Sequence, residues 1–108
     1  MKLWIDDVRP APEGYVWVKT VNEAKKFIIL QLTGWILLNK ESQYPIDLMD
    51  IDHDAGEYAK DGGGYIEILK WFEKTKTPCP AIRIHSMNPV GVANMRAIIE
   101  RNGWREVR

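Results

Sequence analysis

The chain predicts a three-layer α/β sandwich of about five mostly parallel strands in the order 2-1-3-4-5, and three observations carry that expectation. Short apolar runs alternate with segments whose apolar residues recur every three or four positions, the pattern of strand and helix crossover units. Three of those runs stop abruptly in polar residues, as strands buried on both faces of a parallel sheet do. With 108 residues and 45% hydrophobic side chains, the chain buries about 65% of its unfolded surface in one core, so residues 1–108 read as one domain.

Lys2-Leu3-Trp4-Ile5 is the first strand and ends at Asp6-Asp7. Arg9-Pro10-Ala11-Pro12 then imposes an extended loop, because proline excludes helical geometry from the residue before it. Tyr15-Val16-Trp17-Val18, β-branched and aromatic, is the second strand. Thr20 with Glu23 has the form of a capping box, opening a helix whose stripe is Val21, Ala24, Ile28 and Leu32. Gly34 to Lys40 fits a continued helix, a second short helix or a strand, with helix preferred. A turn at Ser42-Gln43-Tyr44-Pro45 leads to a third strand, Ile46 to Asp52. Its alternation of apolar and acidic residues points Ile46, Leu48 and Ile51 inward.

The acidic loop Asp52-His53-Asp54-Ala55-Gly56-Glu57 follows. Asp61-Gly62-Gly63-Gly64 leads into a helix with Tyr65, Leu69 and Phe72 on one face, ended by Thr77-Pro78-Cys79-Pro80. Ala81 to His85 is the fourth strand. In the turn Ser86-Met87-Asn88-Pro89, Asn88 suits the N-cap and Pro89 the first helical position. Val90 to Asn102 is helical, Gly103 caps it, and Trp104 to Val107 is a last edge strand. The sum is a flavodoxin-like arrangement, whose ligands bind outside the carboxyl ends of the strands where strand order reverses.

Composition narrows the partners. Fifteen basic residues balance fifteen acidic ones, which argues against a general DNA binder held by bulk charge. The charges are nevertheless segregated: Tyr44 to Asp61 carries six acids and one base, Lys76 to Arg108 six bases and two acids. Lone Cys79 forms no internal disulfide, so nothing points to an oxidising compartment. Lys2 and Asp6-Asp7 interrupt any N-terminal apolar run, and Phe27 to Leu38 is too short and polar to span a bilayer. A cytoplasmic location without membrane contact is the expectation.

In a parallel sheet the endings Asp6-Asp7, Asp52-His53-Asp54 and His85-Ser86-Met87-Asn88 meet on one rim. Carboxylates gathered there repel, and a hard divalent cation, Mg²⁺ or Mn²⁺, answers them best. Ser86 and the free amides of a helix opening at Asn88-Pro89 can hold phosphate oxygens. The Asp61-Gly64 run lacks the lysine of a phosphate-binding loop and reads as a lead into its helix. Both histidines of the chain, His53 and His85, fall beside the acids, each a metal ligand or a general acid or base. Arg9 is a candidate phosphate contact and Arg83, on the same strand face as His85, a further candidate without an assigned role; each also fits a plain surface arginine. Cys79 lies away from the rim and is no nucleophile.

Asp6-Asp7 and Asp52 stand where two-component receiver domains keep their Mg²⁺-binding acids and phosphorylated aspartate, and Ser86 where they carry Ser or Thr. More closely, Leu3-Trp4-Ile5-Asp6-Asp7-Val8-Arg9-Pro10, Asp52-His53-Asp54-Ala55-Gly56, Gly64-Tyr65 and Ile84-His85-Ser86-Met87-Asn88-Pro89-Val90-Gly91-Val92-Ala93-Asn94-Met95 resemble the cyclic-phosphate-processing receiver family. The resemblance implies a receiver fold, a metal pocket and action on a phosphodiester, for example a 2′,3′-cyclic phosphate of RNA or a nucleotide. It implies Asp6, Asp7 and Asp52 as metal ligands, with His53, Asp54, His85, Ser86 and Asn88 completing the site and Asn94 orienting the turn before it from inside. Signalling receivers also place a lysine after the fifth strand. No lysine follows Lys76 here, which removes a charge that phosphotransfer needs.

The preferred reading is a metal-dependent phosphoesterase acting on a phosphorylated small molecule or an RNA end, with His85, His53 and Asp54 catalytic and Ser86, Asn88 and Arg9 on the phosphate. Its rival is a non-catalytic receiver-like module that binds a metal, a phosphorylated ligand or a protein.

Overall fold

The computed structural model describes residues 1–38 and 43–108. Its elements follow the order β1 (Lys2–Ile5), β2 (Tyr15–Val18), α1 (Val21–Leu38), β3 (Leu48–Ile51), a 3₁₀ turn (Gly56–Lys60), α2 (Ile66–Thr75), β4 (Ala81–Ile84) and α3 (Pro89–Asn102). The four strands form one parallel sheet in the order β2-β1-β3-β4. The expected fifth strand is reduced to one parallel bridge, Ile82 with Glu106. The Ile82 amide donates to Arg105 O at 2.9 Å and Val107 donates back at 2.7 Å, so the order continues as predicted.

Local chemistry sets the helix limits. Thr20 Oγ1 accepts from the Glu23 amide at 3.0 Å, as the capping box requires. α1 then runs through Gly34 to Leu38 without a break, which settles the ambiguous stretch as helix; Asn39, Lys40, Glu41 and Ser42, with the end of that stretch and the start of the predicted turn, lie outside the described residues. Asn88 Oδ1 accepts from the Gly91 amide at 3.0 Å, and Gly103, at φ 66°, ends α3 in the left-handed region. The 3₁₀ turn after the acidic loop was not expected.

The two sheet faces differ, and here the three-layer expectation needs correcting. From β2 to β3 to β4 to the bridge the chain advances in one direction, so right-handed crossovers put α1, α2 and α3 on the same face. Leu3, Ile5, Val18, Met49, Ile51 and Ile82 of that face form the core with Val21, Ile28, Tyr65, Leu69, Phe72 and Met95. The step from β1 to β2 runs the other way, through Asp6 to Gly14, and Pro10 and Pro12 keep this segment from being a helix. Among the described residues the second face therefore carries no helix. Lys2, Trp4, Tyr15, Trp17, Leu48, Asp50, Ala81 and Arg83 alternate onto it.

β3 also departs from simple alternation. Met49, Asp50 and Ile51 are all buried and Leu48 is half-buried, because helices cover one face of the strand and a side-chain network covers Asp50 on the other.

Candidate functional site

The acids converge because β1 and β3 are parallel neighbours with Ile5 opposite Ile51, and the Asp52 amide extends the ladder to Ile5 O at 2.9 Å. Asp6, Asp7 and Asp52 each offer one oxygen, all within 4.8 Å of one another. Burial, aided by the charges of Asp6 and Asp52, pushes the Asp7 carboxyl above its ordinary value. Three mutually close carboxylates, each offering an oxygen, are a donor set that a hard divalent ion fits. Gly56 stands against the group at φ 56°, where a Cβ would collide with Asp7 Oδ2; the left-handed backbone and the lack of a side chain are both needed there.

His85 joins the trio from β4. Its amide donates to Ile51 O at 2.9 Å, which aims the ring back across β3. Nδ1 lies 2.6 Å from Asp50 Oδ1 and Nε2 2.8 Å from Asp6 Oδ2. The Trp4 ring stacks on the imidazole at 3.8 Å and 4°. Burial alone would lower the His85 pKa, but the two carboxylates outweigh it and raise it. A carboxylate at each nitrogen favours the charged imidazolium form of the ring. Asp6 is also pushed up by burial and more than pulled back by the Val8 and Arg9 amides, each 2.8 Å from Oδ1, and by His85.

Asp50 and Trp4 join this candidate site through His85, and neither is among the residues the sequence singles out. Asp50 read as an outward acid in an alternating strand, yet it is 3% exposed. The available signal was that it is the only acid inside the four strands, two positions before Asp52.

The second cluster lies at the start of α3. The His53 amide donates to Asp52 Oδ1 at 2.8 Å, linking it to the acids. His53 Nδ1 is 3.0 Å from Asp54 Oδ1 and 3.5 Å from Asn88 Nδ2, so the ring is oriented through Nδ1 and its Nε2 points away from both. The ring lies directly on Gly91, where any Cβ would overlap it. Ser86 Oγ accepts from the Asn88 amide at 3.2 Å, leaving its hydroxyl proton free to donate.

Other expectations fare differently. Pro89 has no N–H and the Gly91 amide is capped by Asn88, so Val90 is left as the first-turn donor and the phosphate cradle is thinner than predicted. Arg9 contributes its main chain, donating to Asp6 and accepting from Trp4 Nε1 at 2.8 Å, while its side chain is exposed. Asn94 is exposed rather than inside, because Met95, Ile98 and Gly91 take the buried side of α3. In the glycine run, the Gly63 amide donates to Ala59 O and Asp61 accepts from Asn22, a structural link to α1. Burial pushes the Cys79 thiol up to about 12, consistent with an inert thiol. Tyr65, fully buried beneath the acids, donates its hydroxyl to Lys19 O at 2.7 Å.

A parallel sheet in this order, with an acid pair ending its first strand and an acid ending its third, defines a receiver-like domain. Residues 1–101 match the family described as the cyclic-phosphate processing receiver domain, and the chain belongs to that family. No curated protein and no solved structure matches it. Among the described residues no helix is long and apolar enough to cross a membrane.

Proposed function

We propose that the domain opens a cyclic phosphodiester to a monoester with the help of a divalent cation. The observation that carries the reading is the Asp6, Asp7 and Asp52 trio, an unbalanced negative site within a family that processes cyclic phosphates. These three residues would hold Mg²⁺ or Mn²⁺, which supplies neutralisation of the phosphoryl oxygens when bound.

The two histidines divide the remaining work. His85 has both nitrogens committed to carboxylates and a side chain only 12% exposed, so it positions Asp6. His53, more exposed and oriented by Asp54, has an Nε2 without a partner among the described residues. Nε2 takes a proton from the attacking water as its oxygen bonds to phosphorus, the bond from phosphorus to one ribose oxygen breaks, and that oxygen takes up a proton from solvent while Nε2 gives its own back to solvent. The Ser86 hydroxyl, the Asn88 amide group and the Val90 N–H orient the phosphate.

The test follows ³¹P NMR of a 2′,3′-cyclic mononucleotide incubated with the protein and Mg²⁺ or Mn²⁺. Conversion of the cyclic signal to a monoester signal, lost in Asp52→Asn, is expected. An unchanged spectrum between pH 6 and 9 would overturn the catalytic reading and leave a domain that binds metal or phosphate without turnover.

A further inference from the structure

The helix-free face of the sheet has an unusual lining. Going outward from β1, one row holds Tyr15, Lys2, Leu48 and Ala81, and the next holds Trp17, Trp4, Asp50 and Arg83. Alternation about the Ile82–Glu106 bridge adds Arg105, since Glu106 turns to Arg96 of α3 at 2.8 Å. Lys2 Nζ sits 5.5 Å from the Tyr15 ring centroid and Lys19 Nζ 4.4 Å from that of Trp17. Tyr15 meets Trp4 edge-on at 5.9 Å, and Trp4 in turn stacks on His85 at the candidate site. Asp50, the single acid among the strands, is buried and paired with His85. The exposed charge on the strand positions of this face is therefore positive.

A face awaiting a packed helix would be apolar. This one alternates aromatic rings with cations, with exposed Lys2, Arg83 and Arg105 around half-buried Tyr15 and Trp17. Rings that stack bases and cations that meet phosphates are what a single strand requires, and an open sheet is a known platform for it. The aromatic line also ends at the site. A 2′,3′-cyclic phosphate needs a ribose 2′-oxygen, which makes the strand RNA.

We propose that this face binds single-stranded RNA, with bases against Tyr15 and Trp17 and phosphates on Lys2, Arg83 and Arg105, and leads the strand's terminal phosphodiester past Trp4 to the rim. The site assignment and the choice of RNA rest on the reading above; the aromatic and cationic surface for a single strand does not.

The experiment titrates tryptophan fluorescence of the full chain with an eight-nucleotide oligouridylate ending in a 3′-hydroxyl, in EDTA. Saturable quenching is expected. Three phosphate contacts on a single strand predict affinity falling roughly 20-fold between 50 and 200 mM salt. Lys2→Glu with Arg83→Glu should weaken binding at least about 10-fold at unchanged melting temperature, and Tyr15→Ala by roughly 5-fold or more, the loss of one stacked base. No quenching, equal affinity for duplex RNA, or affinity indifferent to these substitutions would overturn the proposal. So would sedimentation showing that this face is occupied by a second copy of the chain. Because EDTA and a 3′-hydroxyl end bypass the acid trio, failure here leaves cyclic-mononucleotide opening standing, and failure of that turnover leaves RNA binding standing.

Discussion

Two groupings of carboxylates meet at Asp6 and are handled in opposite ways. On one side, Asp6 and Asp50 enclose His85, both imidazole nitrogens are used, and Trp4 covers the ring. On the other, Asp6 faces Asp7 and Asp52 with no cationic side chain bonded to either among the described residues, and Asp7 is held above its ordinary pKa. A buried charge with a hydrogen-bonded partner is accounted for within the fold, whereas the rim acids are the ones to which the proposal assigns a cation. On the reading proposed above, His85 positions Asp6 because both its nitrogens face carboxylates, and His53 is the histidine that supplies the base.

The sharpest way to break this contrast is His85→Ala. It strands Asp6 and Asp50 as buried carboxylates, and removing one partner of a buried ion pair costs about 3–5 kcal/mol. Urea unfolding should register that loss, and a stability within 1 kcal/mol or so of the parent would show that the network is not the anchor described. His53→Gln should do the reverse, leaving urea unfolding unchanged while lowering turnover by about 10²- to 10⁴-fold, the usual contribution of a general base. Comparable melting losses in both variants would erase the distinction.

Smaller effects sharpen it. Gly56→Ala places a side chain at φ 56° against Asp7, and backbone strain of about 1–2 kcal/mol should appear together with weakened cation binding. Stability against pH has a defined sign for His85. Its folded pKa is raised, so its contribution is complete below the unfolded value of about 6.5 and fades as pH climbs through the folded value. The dependence should vanish in Asp50→Asn combined with His85→Gln, as judged by melting temperature from pH 6 upward.

Much of this could be read from the residues alone. Acids at the ends of two adjacent parallel strands must converge, and Asn88-Pro89 with Gly103 marks both ends of α3 through local hydrogen bonding that needs no tertiary knowledge. Asp50 was illegible because strand alternation tells which residues share a face but not whether that face is covered, and a histidine from another strand does the covering. Asn94 failed for a related reason: a helical face is defined only against what packs on it, and Gly91 with Met95 and Ile98 turned α3 another way. The missing third layer followed from a connector, Asp6 to Gly14, which is too short and too rich in proline to supply a crossover helix, so a five-strand pattern did not guarantee helices on both sides.

The contrast between the two groupings is tested most directly by isothermal titration of Mg²⁺, and separately Mn²⁺, into the protein and into Asp7→Asn. Binding of one ion to the parent, with affinity reduced at least about tenfold in the variant, is the predicted result. No ion binding to the parent at millimolar concentration, or equal binding to both proteins, would contradict it.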